Sequence, residues 1–361
     1  MFVAWRDLRF AKGRFALMGT VIVLITLLVG LLSGLTAGLA RENISAITGL
    51  PADRIAFAAP PAGQSVSFTN STVTEEQWKA WAGRPGVSGA APLGIRTLNA
   101  VAGERTAAVS ALGTRPGDGL APGAVAPGKA VLSESAAAEL GAGVGDAVRL
   151  GPLAVAVAAV AGDASYSHTP VVWTSLDDWQ RLGAGGTAAG AQAEQATVIA
   201  LRGDGADWAA GDAAVGTEAR TVDAALTAIG SYQAENGSLQ LMRGFLFVIS
   251  ALVIGAFFTV WTIQRSGDVA VLKALGASTP YLLRDALGQA VLMLVAGTLL
   301  GTGLALGIGA LVSGGDVPFV LSPPTLLGPA AVIIVLGAVG SALSIRRITA
   351  VDPLTALGSV R

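Results

Sequence analysis

Four uncharged runs limit what this chain can fold into. Phe15–Ala40 is 26 residues without a charged side chain, Gly244–Gln264 is 21, Ala286–Gly315 is 30 and Val317–Ile345 is 29. A bilayer's hydrocarbon core is about 30 Å thick, and at about 1.5 Å rise per residue roughly 20 helical residues cross it. Every run is long enough. The front of the fourth holds Pro318, Pro323, Pro324 and Pro329, so its span is expected from about Thr325 to Ile345. Composition agrees: 13% of the residues are charged, half of the roughly 25% usual in soluble chains. The first run exceeds the about 7–15 residues of a signal-peptide core, and no small-x-small cleavage site follows it. It is expected to be a retained helix.

The basic residues set an orientation. Arg6, Arg9, Lys12 and Arg14 precede the first run, Arg265, Lys273 and Arg284 lie between the second and third, and Arg346, Arg347 and Arg361 follow the fourth. Short basic flanks stay in the cytoplasm, so both termini are expected there, in a multi-pass protein of the cell membrane. Residues 41–243 are then outside, with 13 Lys and Arg against 19 Asp and Glu. No basic tract points to nucleic acid. The chain has no cysteine, which rules out disulfides, thiol nucleophiles and Cys-based metal sites.

The organisation is therefore an α-helical membrane protein with four transmembrane helices plus an α+β extracytoplasmic domain inserted between helices 1 and 2. Segment 1–40 is the N-terminal flank and helix 1, 41–243 the external domain with a stalk, and 244–361 helices 2 to 4 with the cytoplasmic connections. In the external part the pattern predicts short strands at Val66–Phe68, Ala130–Leu132, Ala147–Leu150, Ala154–Val160, Val171–Thr174 and Thr197–Leu201, in small mixed sheets. Ser135–Leu140 reads as a helix stopped at Gly141. Ser175 heads a capped helix with Asp177 and Asp178 in its first turn. Thr221–Gly244 reads as one helix that continues into helix 2.

Motifs for catalysis are missing. Gly123-Ala-Val-Ala-Pro-Gly-Lys129-Ala130 approaches a phosphate-binding loop, but Ala130 has no hydroxyl for Mg²⁺, Pro127 interrupts the loop, and the segment is outside, away from ATP. Gly141-Ala-Gly143-Val-Gly145 lacks dinucleotide-loop spacing and reads as a turn. His168 is the one histidine, too few for a multi-His metal site, and no G-x-S-x-G elbow exists. No catalytic residue, intrinsic cofactor or metal site is assigned. Within the apolar runs, Gly30, Gly34 and Gly38 recur every fourth residue, as do Gly297 with Gly301 and Gly303 with Gly307. Small residues let helices approach closely. On helix 1 both a dimer or moving interface and ordinary packing within the chain stand open; for helix 3 packing is expected.

Between the second and third runs lies Asp268-Val-Ala-Val-Leu-Lys-Ala-Leu-Gly-Ala-Ser278. Val269, Leu272, Ala274 and Leu275 share helical spacing, with Asp268 and Lys273 off that face. Gly276 can end this helix, and Ser278 or Thr279 can cap the next before Pro280. This stretch resembles the cytoplasmic loop of FtsX/MacB-like ABC transporter permeases. Ile345-Arg-Arg-Ile-Thr-Ala-Val-Asp-Pro-Leu-Thr-Ala-Leu357 resembles the ending of that family. Val131-Leu-Ser-Glu-Ser-Ala-Ala-Ala-Glu-Leu-Gly141, Val144-Gly-Asp-Ala-Val148 and Val171-Val-Trp-Thr-Ser-Leu-Asp-Asp-Trp179 resemble its extracytoplasmic domain. Gly267-Asp268 departs from the longer acidic-basic pair usual there.

The resemblance implies a permease driven by a separate cytoplasmic ATPase, which binds ATP and Mg²⁺, in a complex of two permeases and two ATPases. The amphipathic helix at about 267–277 would dock into the ATPase, with Asp268, Val269, Leu272, Lys273, Leu275 and Gly276 as coupling residues. In size and single external domain the chain resembles the shorter haem-efflux permeases of Gram-positive bacteria. Tyr, His and Met are haem ligand types, which singles out Tyr166, His168, Tyr232 and Met242, with Glu235 as an oxygen donor that shares a helical face with Tyr232. Each has a plainer reading: His168 a surface loop residue, Tyr232 an interfacial anchor, Met242 packing. Export of lipoproteins, peptides or antibiotics, and FtsX-like regulation of cell-wall hydrolases, remain as alternatives.

Overall fold

A computed structural model describes residues 12–185, 194–264, 267, 271–273, 275–312 and 317–349. Expectations on Arg6, Arg9, Arg265, Asp268, Val269, Ala274, Arg361, the 352–357 ending and the loop beyond residue 185 fall outside the described residues. The chain divides into two units, Met1–Gly38 with Ser238–Arg361, and Leu39–Gly237. Both divisions fall inside helices.

Among the described residues, the first unit is built on four helices long and apolar enough to cross a membrane. Helix α1 is Lys12–Thr48; the others are Gly230–Gln264, Thr279–Val312 and Pro323–Thr349. The last starts at Pro323-Pro324, because a proline in the first turn forfeits only an amide that has no helical partner. Met18, Ile22, Val29, Ile254, Phe258, Met293, Leu294 and Ile333 form its core. Outward, Leu24, Leu28, Leu252 and Leu299 are more than half exposed, as lipid-facing residues must be. Gly297 and Gly301 lie against Ile22, Val23 and Thr26 of α1, the packing within the chain expected for helix 3; Gly303 and Gly307 face open space.

The second unit contains one large mixed sheet where small sheets were expected. Its strands are β1 (Arg54–Ala58), β3 (Val87–Ala102), β4 (Arg105–Thr114), β5 (Lys129–Leu132), β6 (Ala147–Leu150), β7 (Leu153–Val160), β8 (Ser165–Tyr166), β9 (Thr169–Ser175), β11 (Val198–Gly203) and β12 (Thr217–Thr221). The order is β12-β1-β11-β3-β4-β9-β5-β7-β6, with β8 beside β9. Two short strands, β2 (Val73–Thr74) and β10 (Gln195–Ala196), pair separately. The 16-residue β3 joins two regions. Its first half pairs with β11, and its end pairs with β6 through Ala100↔Leu150 and Val101↔Arg149, closing the ladder from β3 through β4, β9, β5, β7 and β6. Gly103, at φ 56°, makes the tight turn between β3 and β4, a conformation costly to any residue with a Cβ.

Helices α2 (Glu75–Ala82), α3 (Glu134–Leu140) and α4 (Leu176–Gly183) cover one side. Trp78, Trp81, Leu140, Trp179 and Leu182 enter the core there. Ser133 and Ser175 cap α3 and α4 by accepting from the amides of Ala136 and Asp178. The other core holds Ile47 and Leu50 at the end of α1, then Phe57, Phe68, Trp173, Leu226 and Ile229. Val66–Phe68 is no strand; both ends of this alternating stretch are buried, so the pattern reports burial without pairing. Helix α5 is Trp208–Val215. The single helix expected from Thr221 is broken: α6 (Val222–Ala225) runs into a 3₁₀ turn at Leu226–Ala228, Ile229 is extended, and α7 begins at Gly230. The apolar Leu226, Ala228 and Ile229 are drawn into the core, which bends the chain away from a straight helix. The remaining membrane helices are α8 (Thr279–Val312) and α9 (Pro323–Thr349).

Candidate functional site

Three segments distant in sequence meet within the external unit: the end of α1 with Glu42 and Asn43, the β8–β9 turn with Ser167 and His168, and the start of α7 with Ser231, Tyr232 and Glu235. Strands β8 and β9 pair Tyr166 with Thr169, which leaves Ser167 and His168 as a two-residue turn. Both have positive φ, 51° and 62°. Such a turn matches the twist of a hairpin but favours Asn-Gly; a side chain there costs about 1–2 kcal/mol per residue. Contacts outside the hairpin compensate. The Ser167 amide donates to the Asn43 carbonyl at 2.9 Å and the His168 amide to that of Glu42 at 3.2 Å.

The side chains complete the junction. His168 Nε2 lies 3.0 and 2.9 Å from the two carboxylate oxygens of Glu235. Asn43 Nδ2 donates to Glu235 Oε2 at 3.3 Å and sits 3.0 Å from His168 Nε2. Glu235 accepts from the Asn43 amide, and in the tautomer with the ring proton on Nε2 it accepts from His168 as well. Ser231 Oγ donates to Asn43 Oδ1 at 2.7 Å and lies 2.8 Å from Ser167 Oγ. Glu42 Oε2 is 3.7 Å from His168 Nδ1. Asn43 is buried, at 1% exposure, whereas the side chains of His168 and Glu235 are 31% and 43% exposed. The exposed His168–Glu235 contact alone therefore contributes at most about 1 kcal/mol; the buried amide is the structural hub. Beside it, burial and then the charge of Glu42 push the Glu139 carboxyl above its ordinary value.

His168 and Glu235 are thus brought together, with Tyr232 half-buried against the core three residues before Glu235. Tyr166 points elsewhere. It is buried, its ring is edge-on to Phe68 at 5.8 Å, and burial raises its phenol well above the usual range. Met242 lies further along α7, in the other unit, and is exposed. Sequence reasoning missed Asn43, Ser231, Ser167 and Glu42. Their side-chain partners lie 64 or more positions away, so no local period reveals them. The one local signal is Arg41-Glu42-Asn43, where polar residues end the first apolar run.

In the membrane unit, the segment before α8 ends as its sequence suggests. Gly276 has φ 94°, its amide donates to the Lys273 carbonyl, and that of Ala277 to Leu272. This pair of bonds is a Schellman motif. Ser278 then accepts from the Tyr281 and Leu282 amides to open α8. Leu275 is 79% exposed and Val271 53%, while Leu272 and Lys273 are intermediate. The face of α1 bearing Gly30, Gly34 and Gly38 is filled by the chain itself: Gly30 by Ala305 and Leu326, Gly34 by the Phe319 ring, Gly38 by the Pro318 backbone. Val320 donates its amide to the Gly34 carbonyl at 3.1 Å.

Comparison with known proteins gives these features a family. Residues 15–218 match the MacB-like periplasmic core domain and residues 241–353 the FtsX-like permease C-terminal domain. A protein of Staphylococcus haemolyticus called putative hemin transport system permease protein HrtB is 39% identical over 132 residues, 37% of each chain. A protein of the same description from Staphylococcus epidermidis is 24% identical over 373 residues, 99% of each chain. The crystal structure of the periplasmic region of MacB from Actinobacillus actinomycetemcomitans aligns at 11% identity with a TM-score of 0.35, covering 49% of this chain and 92% of that one. Both halves of the chain therefore belong to one architecture, and the protein is a member of the FtsX-like permeases that carry a MacB-like periplasmic core domain.

Proposed function

We propose that this permease exports haem, a flat apolar macrocycle with an iron centre, and that Glu235 and Tyr232 at the start of α7 are the polar donors that meet the iron. The chain is the permease of an ABC efflux system, with its MacB-like domain outside the membrane. Its ATPase is a separate chain that docks on the segment ending at Gly276. Two permeases and two ATPases make the working complex, with both termini in the cytoplasm. The single observation that carries the cargo reading is the placement of Glu235, an oxygen donor, one helical turn from Tyr232 on the helix that enters the membrane. The descriptions of the two staphylococcal relatives as hemin transport permeases support it. Met242 lies two turns further on and adds a sulfur donor type.

The test is optical. Purified permease in nanodiscs, titrated with hemin, should show a shifted Soret band. Glu235→Ala and Tyr232→Phe should each move that band and weaken binding, while cells carrying either variant become more sensitive to hemin. A wild-type protein without a hemin spectrum would remove haem from consideration and leave an exporter of another hydrophobic cargo.

A further inference from the structure

We propose that the β8–β9 hairpin tip is a displaceable clasp on Glu235, which holds the carboxylate, α1 and α7 together until cargo takes the carboxylate over. The clasp rests on the reading of Glu235 as a cargo ligand, and its geometry stands apart from that reading. Both amides, the imidazole and the Ser167 hydroxyl at the tip are each directed at one of the two helices. The Ser167 and His168 amides bond to carbonyls of α1 at 2.9 and 3.2 Å. The imidazole bonds to Glu235 of α7 at 2.9 Å. The Ser167 hydroxyl meets Ser231 of α7 at 2.8 Å. Asn43 of α1 reaches across to both Glu235 and Ser231.

The tip is also in a conformation that its residues disfavour, with two consecutive side-chain-bearing residues at positive φ. A turn of that kind persists because its surroundings hold it, so loss of one external anchor favours opening. Glu235 is the anchor that a ligand can remove. A metal centre that coordinates the carboxylate competes for the lone pairs that accept from His168 Nε2–H and Asn43 Nδ2–H. The freed imidazole and amide N–H groups are solvated by water, so hydrogen bonds are exchanged for the coordination bond and no covalent bond changes. His168 is therefore a positioning residue that competes with cargo, and Asn43 the buried pivot. The charged groups around the imidazole are Glu235 on α7, Glu42 on α1 and, next to Glu42, Glu139 on α3.

A clasp that is closed most of the time weakens apparent affinity by the fraction of open molecules. His168→Ala should then bind hemin more tightly, by about tenfold for a clasp closed 90% of the time; an iron-ligating histidine gives the reverse. The complementary variant is Ser167→Cys with Ser231→Cys, in a chain that has no other cysteine. Oxidised, it locks the tip to α7 and should weaken hemin binding by about tenfold or more, and reduction before hemin is added should restore it. Weaker or unchanged binding in His168→Ala, or equal binding in the locked and reduced forms, overturns the clasp while the haem reading stands. If wild type shows no hemin spectrum, the haem reading fails and amide exchange decides the clasp. The Ser167 and His168 amides should then exchange about tenfold faster in Glu235→Ala than in wild type, and equal rates overturn it.

Discussion

Glycine does the same job in the two units and for different partners. In the external sheet, Gly94 pairs with Gly113 across β3 and β4, and the indole of Trp179 lies where both Cβ atoms would be. Arg96 stacks on that ring, its guanidinium carbon 5.2 Å from the ring centroid. In the membrane unit, Gly34 on α1 and Gly309 on α8 leave room for the ring of Phe319. The indole belongs to a core that gains its free energy by leaving water, about 25 cal/mol per Å². The phenyl ring has no such gain, because lipid is as apolar as protein and helices associate through close packing. An identical device therefore secures a core in one unit and a contact in the other.

The largest effect expected from this difference is at Trp179. Trp179→Ala should destabilise the external unit by about 3–5 kcal/mol. Gly113→Ala should destabilise it through overlap with the same ring, and adding Gly113→Ala to Trp179→Ala should recover nothing like the loss. Thermal unfolding followed by near-ultraviolet circular dichroism of the full-length protein reads both. A Trp179→Ala protein as stable as wild type would break the comparison at its stronger end.

At the membrane end the double mutant should behave oppositely. Gly34→Ala puts a methyl group against Phe319, an overpacking of about 1–3 kcal/mol. With Phe319→Ala the obstacle is gone, and Gly34→Ala should become stabilising by about 0.5–1 kcal/mol, since alanine is the better helix residue. Unfolding of the nanodisc-held protein in denaturant would show the change of sign. If Phe319→Ala alone costs as much as Trp179→Ala, the ring is a core residue too and the distinction between the units fails.

The units also differ in how much their sequence disclosed. Spans in the membrane unit were legible because charge must leave the hydrocarbon, a constraint that acts on every residue of a run. Gly276 and Ser278 were legible for a local reason, as a helix stop followed by a helix start. In the external unit, Gly141 and Ser175 were equally readable as a helix stop and a helix cap. The long β3–β4 hairpin was not: Val87–Ala102 mixes glycine, proline and polar residues, and its alternation is broken where it passes from one pairing partner to another. Nor was the Asn43–His168–Glu235 junction, whose parts are joined only by the closure of the fold. His168 and Glu235 entered as single donor types, and only the structure pairs them.

A third measurement concerns a residue that should matter little to either fold. Leu275 is exposed beyond the last turn before α8, so Leu275→Asp should leave stability within about 0.5 kcal/mol of wild type. The charge should instead prevent docking to the ATPase, because an unpaired charge buried in an interface costs several kcal/mol; Leu272→Asp should do the same. Pull-down of the tagged permease from membranes measures it. Normal recovery of the ATPase with both variants would remove this segment from the docking surface.

The smallest effect is a matter of pH and belongs to the external unit alone. Burial first, and the charge of Glu42 second, raise the Glu139 carboxyl above its ordinary value in the folded protein. The folded state then holds that proton more tightly than the unfolded chain does. Stability must fall as pH rises from the ordinary carboxylate value, about 4.3, through the raised one, because over that window the unfolded state binds fewer protons. Above it the ionised glutamate is a small and constant liability. Glu139→Gln removes the liability, so the variant should melt slightly above wild type near neutral pH, and the advantage should disappear on acidification below about pH 4. Glu42→Gln, which removes only the second cause, should recover the smaller part of it. A Glu139→Gln protein that melts below wild type near neutrality would mean that the carboxylate is held by a favourable partner, and that the charge on α3 supports the junction beside it instead of opposing it.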